Sequence, residues 1–288
     1  MQVTCPSGLI FEGRPWNRGD QRKLLQESQE NESLLLPKRM VEMATVSVID
    51  PGPYSFNAGG LVAWDEVTSV DIVRANVAIR IETDPIYLFQ RNCQRCGALT
   101  DPPLEVDLRE FEMRPASDEG KGLIQSRETK SVKLASTEGE VVVHLKPMRS
   151  REMVLLGKVQ SQDVSALIDG DILMGIDRVT LPGGKEIQGV ERINRFLDKQ
   201  GWGFVPKLEA EVDQLWGWMD TEISWRCKEF SCRCEQKSAL PLDLGFYGVA
   251  PPTKSGPPAN PPSDSASAET TTPEPSSLPP LDSQTPPI

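Results

Sequence analysis

Two short cysteine turns, set far apart in the chain, constrain this fold most. The first contains Cys93 and Cys96, with two residues between them and Gly97 directly after. That spacing lets a tight turn direct two thiolates at one metal ion, and glycine can adopt the positive φ that such a turn needs. Four thiolates from two such turns can enclose one ion tetrahedrally. The second turn supplies three candidates, Cys227, Cys232 and Cys234.

Alternating segments frame both turns. Residues 86–92 and 221–226 precede them, residues 104–108 and 240–244 follow them, and all four have the alternation of short strands. A strand, a cysteine turn and a second strand, occurring twice, is how a zinc ribbon is built. The sequence therefore predicts an α+β fold in which two β-hairpins form a split zinc ribbon around a mostly helical insert.

A structural zinc ion is the predicted cofactor, and its predicted ligands are Cys93, Cys96, Cys227 and Cys232. The second turn is wider than the first, so Cys234 stays open as a substitute for one ligand of its turn. Two other interpretations remain. The cysteines could be disulfides or buried free thiols, or the first pair could be a redox pair, which needs a helix directly after it. Pro102 and Pro103 oppose that helix.

The charge balance bears on the partners. The 288 residues carry 42 acidic and 31 basic side chains, a net charge of −11, which argues against a phosphate-binding surface as the main function. No apolar run reaches the length of a membrane span, and the first residues lack the apolar core of a signal peptide. We therefore expect no nucleic-acid or membrane partner and a reducing cytoplasm, where cysteines favour metal over disulfides.

Five regions are expected along the chain. They are an N-terminal helical region (1–85), a first ribbon half (86–108), a β-hairpin and helical insert (109–220), a second ribbon half (221–248), and a disordered segment rich in Pro, Ser and Thr (249–288). Helices are predicted over 20–30, 33–46, 64–81, 151–168, 190–197 and 207–216, a hairpin over 131–145, and a turn-rich link over 177–185. Zinc would then pin the two ends of the insert together.

Signatures of catalysis are thin, and we predict that the protein is not an enzyme. The only histidine, His144, lies in a predicted strand, and Gly183-Gly184 is not followed by the lysine and serine of a phosphate loop. Tryptophans gather near the second turn, and they predict either a core cluster around the ribbon or a patch that binds a protein partner. These tryptophans are Trp202, Trp216, Trp218 and Trp225.

Five motifs, in this order, resemble the T4-type baseplate protein family of contractile-tailed phages and prophages. They are Thr4-Cys-Pro-Ser-Gly-Leu9, Asp50-Pro-Gly-Pro-Tyr54, the Cys93–Gly97 turn with Val106-Asp-Leu108 after it, Trp216-Gly-Trp-Met-Asp-Thr-Glu-Ile223, and Leu240-Pro-Leu242. The likeness runs from about Thr4 to Tyr247. The chain departs from the family in two respects: its second turn is wider than usual, and no glycine follows Cys232.

The resemblance implies a role in phage tail morphogenesis. The protein would help to assemble the central hub of the baseplate, as a chaperone-like helper or as a minor structural component. Its partners would be phage tail and baseplate hub proteins, and its location the host cytoplasm or the tail baseplate of the virion. The likeness makes the four predicted ligands the zinc-ribbon positions and transfers no catalytic residue. The alternative hypothesis is a zinc-ribbon adaptor that binds nucleic acid or acts in transcription, which requires a basic face.

Overall fold

The computed structural model describes residues 1–30, 35–150, 152, 170–201, 203–243 and 245–248. The C-terminal segment predicted over 249–288 and Trp202 lie outside the described residues, as does all but one residue of the helix predicted over 151–168. The described chain combines α-helices with small antiparallel sheets, consistent with the α+β class. A connected cluster of buried apolar side chains runs through these elements. Within the described ranges, no helix has the length and apolar character needed to cross a membrane.

A three-stranded antiparallel sheet opens the chain, with strands β1 (Gln2–Thr4), β2 (Ile10–Gly13) and β3 (Thr45–Asp50) in that order. Helices α1 (Arg18–Glu30) and α2 (Leu36–Ala44) lie between β2 and β3 in the chain. The helix predicted over 33–46 therefore ends too late. Thr45 is β-branched and pairs with Gly13 of β2, so the strand begins where the helix was expected to continue.

Helix α3 (Ser69–Thr83) is buried on most of its sides. It follows a separate 3₁₀ turn at Trp64–Glu66, so the helix predicted from Trp64 is interrupted. Its buried positions include Ile72, Asn76 and Ile79, which is the pattern of a helix inside a core. The side-chain NH2 group of Asn76 donates to the Ile72 carbonyl at 2.8 Å. Because α3 ends just before Pro85, it leads directly into the first cysteine hairpin.

Each cysteine turn is enclosed by two antiparallel strands. β4 (Ile86–Phe89) pairs with β5 (Leu104–Asp107), and β12 (Glu222–Arg226) pairs with β13 (Glu235–Ala239). The first three lie within the segments predicted for them. The strand predicted over 240–244 is wrong, since β13 precedes it in the chain. Proline has no backbone N–H to donate, so Pro241 is a poor member of a ladder.

The insert contains a four-stranded antiparallel sheet, so over its described residues it is not mostly helical. Its strands are β7 (Lys130–Ser136), β8 (Gly139–Leu145), β9 (Ile176–Thr180) and β10 (Glu186–Gln188), in the order β10-β9-β8-β7. The predicted β7–β8 hairpin is confirmed. The link predicted over 177–185 is instead part of a second hairpin, whose turn holds Gly183 and Gly184 at φ angles of 90° and 84°.

The two ends of the insert meet through backbone contacts. Among the described residues, the helices of the insert are α4 (Asp118–Ser126), α5 (Gly170–Gly175), α6 (Val190–Leu197) and α7 (Phe204–Trp216). The short strands β6 (Met113–Arg114) and β11 (Trp218–Met219) pair with each other. Ser117 caps α4 by accepting from the Gly120 N–H at 3.0 Å. The Ser117 N–H donates to the Leu215 carbonyl near the end of α7 at 3.2 Å. These contacts between the two ends of the insert therefore form without a metal ion.

A buried carboxylate fixes the N-terminal loop onto α3. Asp71 accepts hydrogen bonds from the Ser7 N–H (3.0 Å), the Ser7 hydroxyl (2.5 Å) and the Tyr54 hydroxyl (2.7 Å). Burial raises the pKa of Asp71, although these donors act in the opposite direction. Ser7 belongs to the motif at 4–9 and Tyr54 to the motif at 50–54, so two of the five sequence motifs meet at one carboxylate.

The raised pKa of Asp71 predicts a specific pH dependence. In the unfolded chain the carboxyl ionises near its usual pKa of about 3.9, whereas the folded protein holds its proton to higher pH. The stability from this group is therefore present at low pH and is lost as pH rises through the folded-state pKa. We expect the free energy of unfolding of the wild type, relative to Asp71→Asn, to fall as pH rises above about 4. Urea unfolding of both proteins across this range measures the difference, and a difference that grows with pH would contradict the assignment.

Candidate metal centre

The first turn presents two sulfurs at the end of the β4–β5 hairpin. The Cys93 N–H donates to the Ala98 carbonyl (2.8 Å), and the Gly97 N–H donates to the Cys93 carbonyl (2.8 Å), which closes the turn. Gly97 has the positive φ predicted for it, 75°. Cys93 is buried and Cys96 is exposed. The turn thus covers one sulfur and leaves the other near solvent.

The second turn is longer but is also closed by backbone hydrogen bonds. The Cys227 N–H donates to the Cys234 carbonyl (2.9 Å). No glycine follows Cys232, and Arg233 instead adopts a left-handed backbone with φ of 44°. This conformation costs a non-glycine residue roughly 1–2 kcal/mol. The Arg233 guanidinium lies 4.7 Å from the centre of the Phe230 ring, and this cation–π contact offsets part of that cost.

The two turns bring four sulfurs together from the two ends of the insert. The sulfurs of Cys93, Cys96, Cys227 and Cys232 all lie within 4.8 Å of one another. Those of Cys93 and Cys232 are 3.7 Å apart, and those of Cys96 and Cys227 are 3.6 Å apart. Sulfurs at about 2.3 Å from a tetrahedral zinc ion would be separated by about 3.8 Å. The four cysteines that the sequence singles out are therefore close enough to hold a metal ion.

Local electrostatics favour the thiolate at two of these positions. A hydrogen bond from the Cys96 backbone amide contributes most to lowering the pKa of Cys93, which falls to about 6. The side chain and the backbone amide of Cys234 lower the pKa of Cys232. At Cys227 a backbone hydrogen bond lowers the pKa, but burial and the neighbouring thiols outweigh it and raise the pKa to about 12. A bound cation would favour the thiolate at every position, because only thiolates ligate metals.

A fifth cysteine lies at the edge of this cluster. The Cys234 sulfur is 3.1 Å from the Cys232 sulfur and 3.4 Å from the Cys93 sulfur. The side-chain amide of Gln236 donates to the Cys234 sulfur (3.0 Å), and the Gln236 side-chain oxygen accepts from the Gln94 N–H (3.1 Å). Gln236 therefore bridges the two hairpins and gives Cys234 a partner other than a metal. No local sequence pattern points to this glutamine, because its role depends on the approach of a distant turn.

The short distance between the sulfurs of Cys232 and Cys234 predicts how much each cysteine contributes to metal binding. We expect Cys234→Ser to keep near-wild-type metal affinity, because the four mutually close sulfurs remain. Cys232→Ser should weaken binding only about 10- to 100-fold, since Cys234 lies close enough to Cys93 to replace the lost ligand. The double variant should lose tight binding. Titration with Co²⁺, followed by the thiolate-to-metal absorption, measures all three. Equal and complete loss in both single variants would show that the two sulfurs cannot replace each other.

Aromatic packing joins the two hairpins in addition to the sulfurs. Phe89 of the first hairpin is fully buried, and its ring lies 5.0 Å from that of Trp225 in the second, edge to face. Tyr87 contacts Phe246, which follows the second hairpin, at 5.7 Å. An edge-to-face pair such as Phe89 with Trp225 is worth about 0.5–1.5 kcal/mol beyond the area that it buries. The hairpins thus have an apolar contact of their own.

The three described tryptophans of the predicted cluster lie in different surroundings. Trp225 lies between the hairpins, Trp216 is buried at the end of α7, and Trp218 is half-buried with the Arg114 guanidinium 5.9 Å from its ring centre. Trp216 and Trp218 line one cavity and Trp225 lines another. Trp202 lies outside the described residues. These three tryptophans therefore contribute to the core and to more than one cavity.

The one histidine has ordinary cross-strand partners. His144 on β8 hydrogen-bonds the Ser131 hydroxyl on β7 (3.0 Å) and the Thr180 hydroxyl on β9 (3.1 Å). Burial lowers the pKa of His144, and the nearby Arg178 acts in the same direction. Cys5, the sixth cysteine, is buried with its sulfur 3.8 Å from the Asp71 carbonyl. His144 is thus held between two neighbouring strands, and Cys5 packs in the core.

Comparisons with known proteins found no relative of this chain. A scan against protein-family models found no family that matches the chain. A search of curated proteins and a search of solved structures likewise found no match.

Proposed function

We propose that this chain is a non-enzymatic assembly protein of a phage tail baseplate hub, held together by one structural zinc ion on four cysteines. The observation that carries the proposal is the convergence of the two distant turns. Their cysteines are the residues that the resemblance to the T4-type baseplate family makes zinc ligands. In this role zinc would cross-link two hairpins that bracket the insert, at Cys93 and Cys96 on one side and at Cys227 and Cys232 on the other.

Four cysteine ligands favour a structural role of the zinc ion over a catalytic one. A zinc ion with four thiolate ligands has no open position for water or substrate. Metal binding would instead contribute to folding, because the unfolded chain cannot hold the four sulfurs together. The aromatic contact of Phe89 with Trp225 and the hydrogen bond of Gln236 to the first turn would keep the hairpins aligned for the metal.

Exposed apolar side chains on the hairpins suit a protein partner. Phe230 is 81 % exposed, Leu88 is 60 % exposed and Leu99 is 53 % exposed. Leu88 and Leu99 belong to the first cysteine hairpin and Phe230 to the second, so each hairpin offers apolar surface to a partner. A rigid, metal-closed hairpin pair would present them with little loss of conformational entropy on binding. This supports binding of a tail protein as the function.

A second candidate function is the binding of single-stranded nucleic acid. A cavity of about 600 Å³ beside the second turn is lined by Trp225 and by the basic residues Arg226, Lys228 and Arg233. Bases can stack on an aromatic ring while basic side chains attract phosphates. The net charge of −11 opposes this function. Fluorescence anisotropy with a labelled oligonucleotide distinguishes the two: binding that weakens steeply as salt rises favours the nucleic-acid adaptor, and no binding at low salt eliminates it.

The proposed function is tested by quantitative mass spectrometry of phage particles. Mature tails and assembly intermediates are purified from one lysate of a phage that carries this chain, and copies per particle are counted. A fixed small number in mature tails identifies a minor hub component, and presence only in intermediates identifies an assembly chaperone. Absence from both would overturn the role in baseplate assembly.

A further inference from the structure

A cavity of about 470 Å³ lies between helices α3 and α7, away from the cysteines. Its walls are formed by the first turns of α3, the C-terminal half of α7, and residues of and next to β11. Such a volume exceeds that of one water molecule, about 30 Å³, by more than tenfold. The cavity is therefore large enough for a side chain of a binding partner.

The walls of the cavity combine apolar side chains with carboxylates. Val70 and Val73 of α3 and Val212 of α7 form apolar surface, and each is half-buried. On the same helix as Val212, Glu209 and Asp213 also line the cavity, and residues four apart lie on one helix face. An apolar wall with two carboxylates at one side complements a ligand that has an apolar stem and a cationic end.

The carboxylate of Asp213 makes no hydrogen bond or ion pair with any residue that the structure describes. The positive charge of Arg114 attracts Asp213, but the Arg114 guanidinium lies over the ring of Trp218. Burial raises the pKa of Asp213, so its charge is poorly solvated there. The indole N–H of Trp216, one turn further along α7, is also buried without a partner.

We propose that this cavity receives a lysine or arginine side chain of the protein that the chain binds, with the cation held by Asp213. The inference rests on the proposed function, since it assumes a protein partner. The aliphatic stem of the basic side chain would pack on the valines, and its charged end would form a charge-assisted hydrogen bond with the carboxylate. An anionic ligand does not fit, because two carboxylates line the cavity.

The test uses the full chain and short capped peptides. Each peptide has five residues, with arginine, lysine, norleucine or glutamate in the centre and alanine elsewhere. Nuclear magnetic resonance of the tryptophan indoles reports binding, and the signals of Trp216 and Trp218 are identified from their phenylalanine variants. Two variants are compared with the wild type: Asp213→Asn, which neutralises the cavity, and Glu211→Gln, which neutralises a residue of the same helix that does not line it. Unchanged circular dichroism and metal content establish that each variant is folded.

We expect the arginine and lysine peptides to shift the Trp216 and Trp218 signals and to bind at least about tenfold more tightly than the norleucine peptide. Asp213→Asn should weaken their binding about tenfold, and Glu211→Gln should leave it unchanged. Equal binding of the norleucine peptide, equal effects of the two variants, or no shift at about 10 mM peptide would overturn the inference. Specific binding of basic peptides by a chain that is absent from tails and intermediates would leave the cavity inference standing and the baseplate function refuted.

Discussion

Replacing Cys93 by serine is expected to destabilise the whole chain and not one local activity. Cys93 is buried and its sulfur lies close to those of Cys232 and Cys234, so its replacement removes one of the proposed zinc ligands. A metal bound at a concentration 1,000 times its dissociation constant stabilises the folded state by about 4 kcal/mol. For a chain of this size that loss lowers the thermal midpoint by roughly 10 °C. Differential scanning calorimetry in reducing buffer measures the shift.

A chelator separates the effect of the metal from that of the mutation. In excess chelator the wild type should unfold near the temperature of Cys93→Ser, and the variant itself should respond little, because its metal is already lost. Cys234→Ser is the matched control and should unfold like the wild type. If Cys93→Ser keeps the wild-type midpoint and the wild type folds unchanged without metal, the structural role of the site is refuted.

Replacing Gly120 by alanine is expected to have the second large effect. A β-carbon at this position would lie 1.8 Å from the Leu215 carbonyl oxygen and 2.6 Å from its carbon. Both are backbone atoms of α7, so no side-chain rotation relieves the clash, and α4 must move away from α7. Overpacking of this kind costs about 3 kcal/mol or more, because it also disturbs the Ser117 hydrogen bond to Leu215. Urea unfolding measures the loss.

The same helix provides the control for Gly120→Ala. At Gly122 a β-carbon would meet no atom within 4 Å. Gly122→Ala should therefore stabilise the chain slightly, by up to about 1 kcal/mol, because alanine is the better helix former. A lower free energy of unfolding for Gly120→Ala and a higher one for Gly122→Ala would establish the close approach of α4 and α7. A neutral Gly120→Ala would show that the two helices lie further apart.

The sequence predicts the cysteine site well because its signals are local. The spacing of Cys93 and Cys96 and the glycine after them encode a turn within a few residues, and the turn forms as expected. The wide second turn is harder to predict. Arg233 adopts the left-handed conformation that glycine usually supplies. The positions of the Cys232 and Cys234 sulfurs relative to Cys93 depend on how the distant first hairpin approaches.

Most errors in the predicted fold concern strands, but the helix predicted from Trp64 is also interrupted and α4 is not among the predicted helices. Thr45 begins a strand that pairs with Gly13, and residues 176–180 pair with both β8 and β10. Strand pairing depends on partners far along the chain, so local periodicity does not determine it. Helix α6, in contrast, spans Val190–Leu197 as predicted, since an amphipathic helix is encoded by its own residues. The contact of Gln236 with Gln94 and the approach of Gly120 to Leu215 are non-local in the same sense.

Metal analysis of the full chain purified under reducing conditions, combined with X-ray absorption at the zinc edge, tests the proposed structural zinc site most directly. We predict one zinc ion per chain, surrounded by four sulfurs at about 2.3 Å. We further predict that the ion is lost in the double variant Cys93→Ser/Cys227→Ser. A reduced, folded chain without bound zinc, or a zinc ion whose ligands are not cysteine sulfurs, would contradict the proposal.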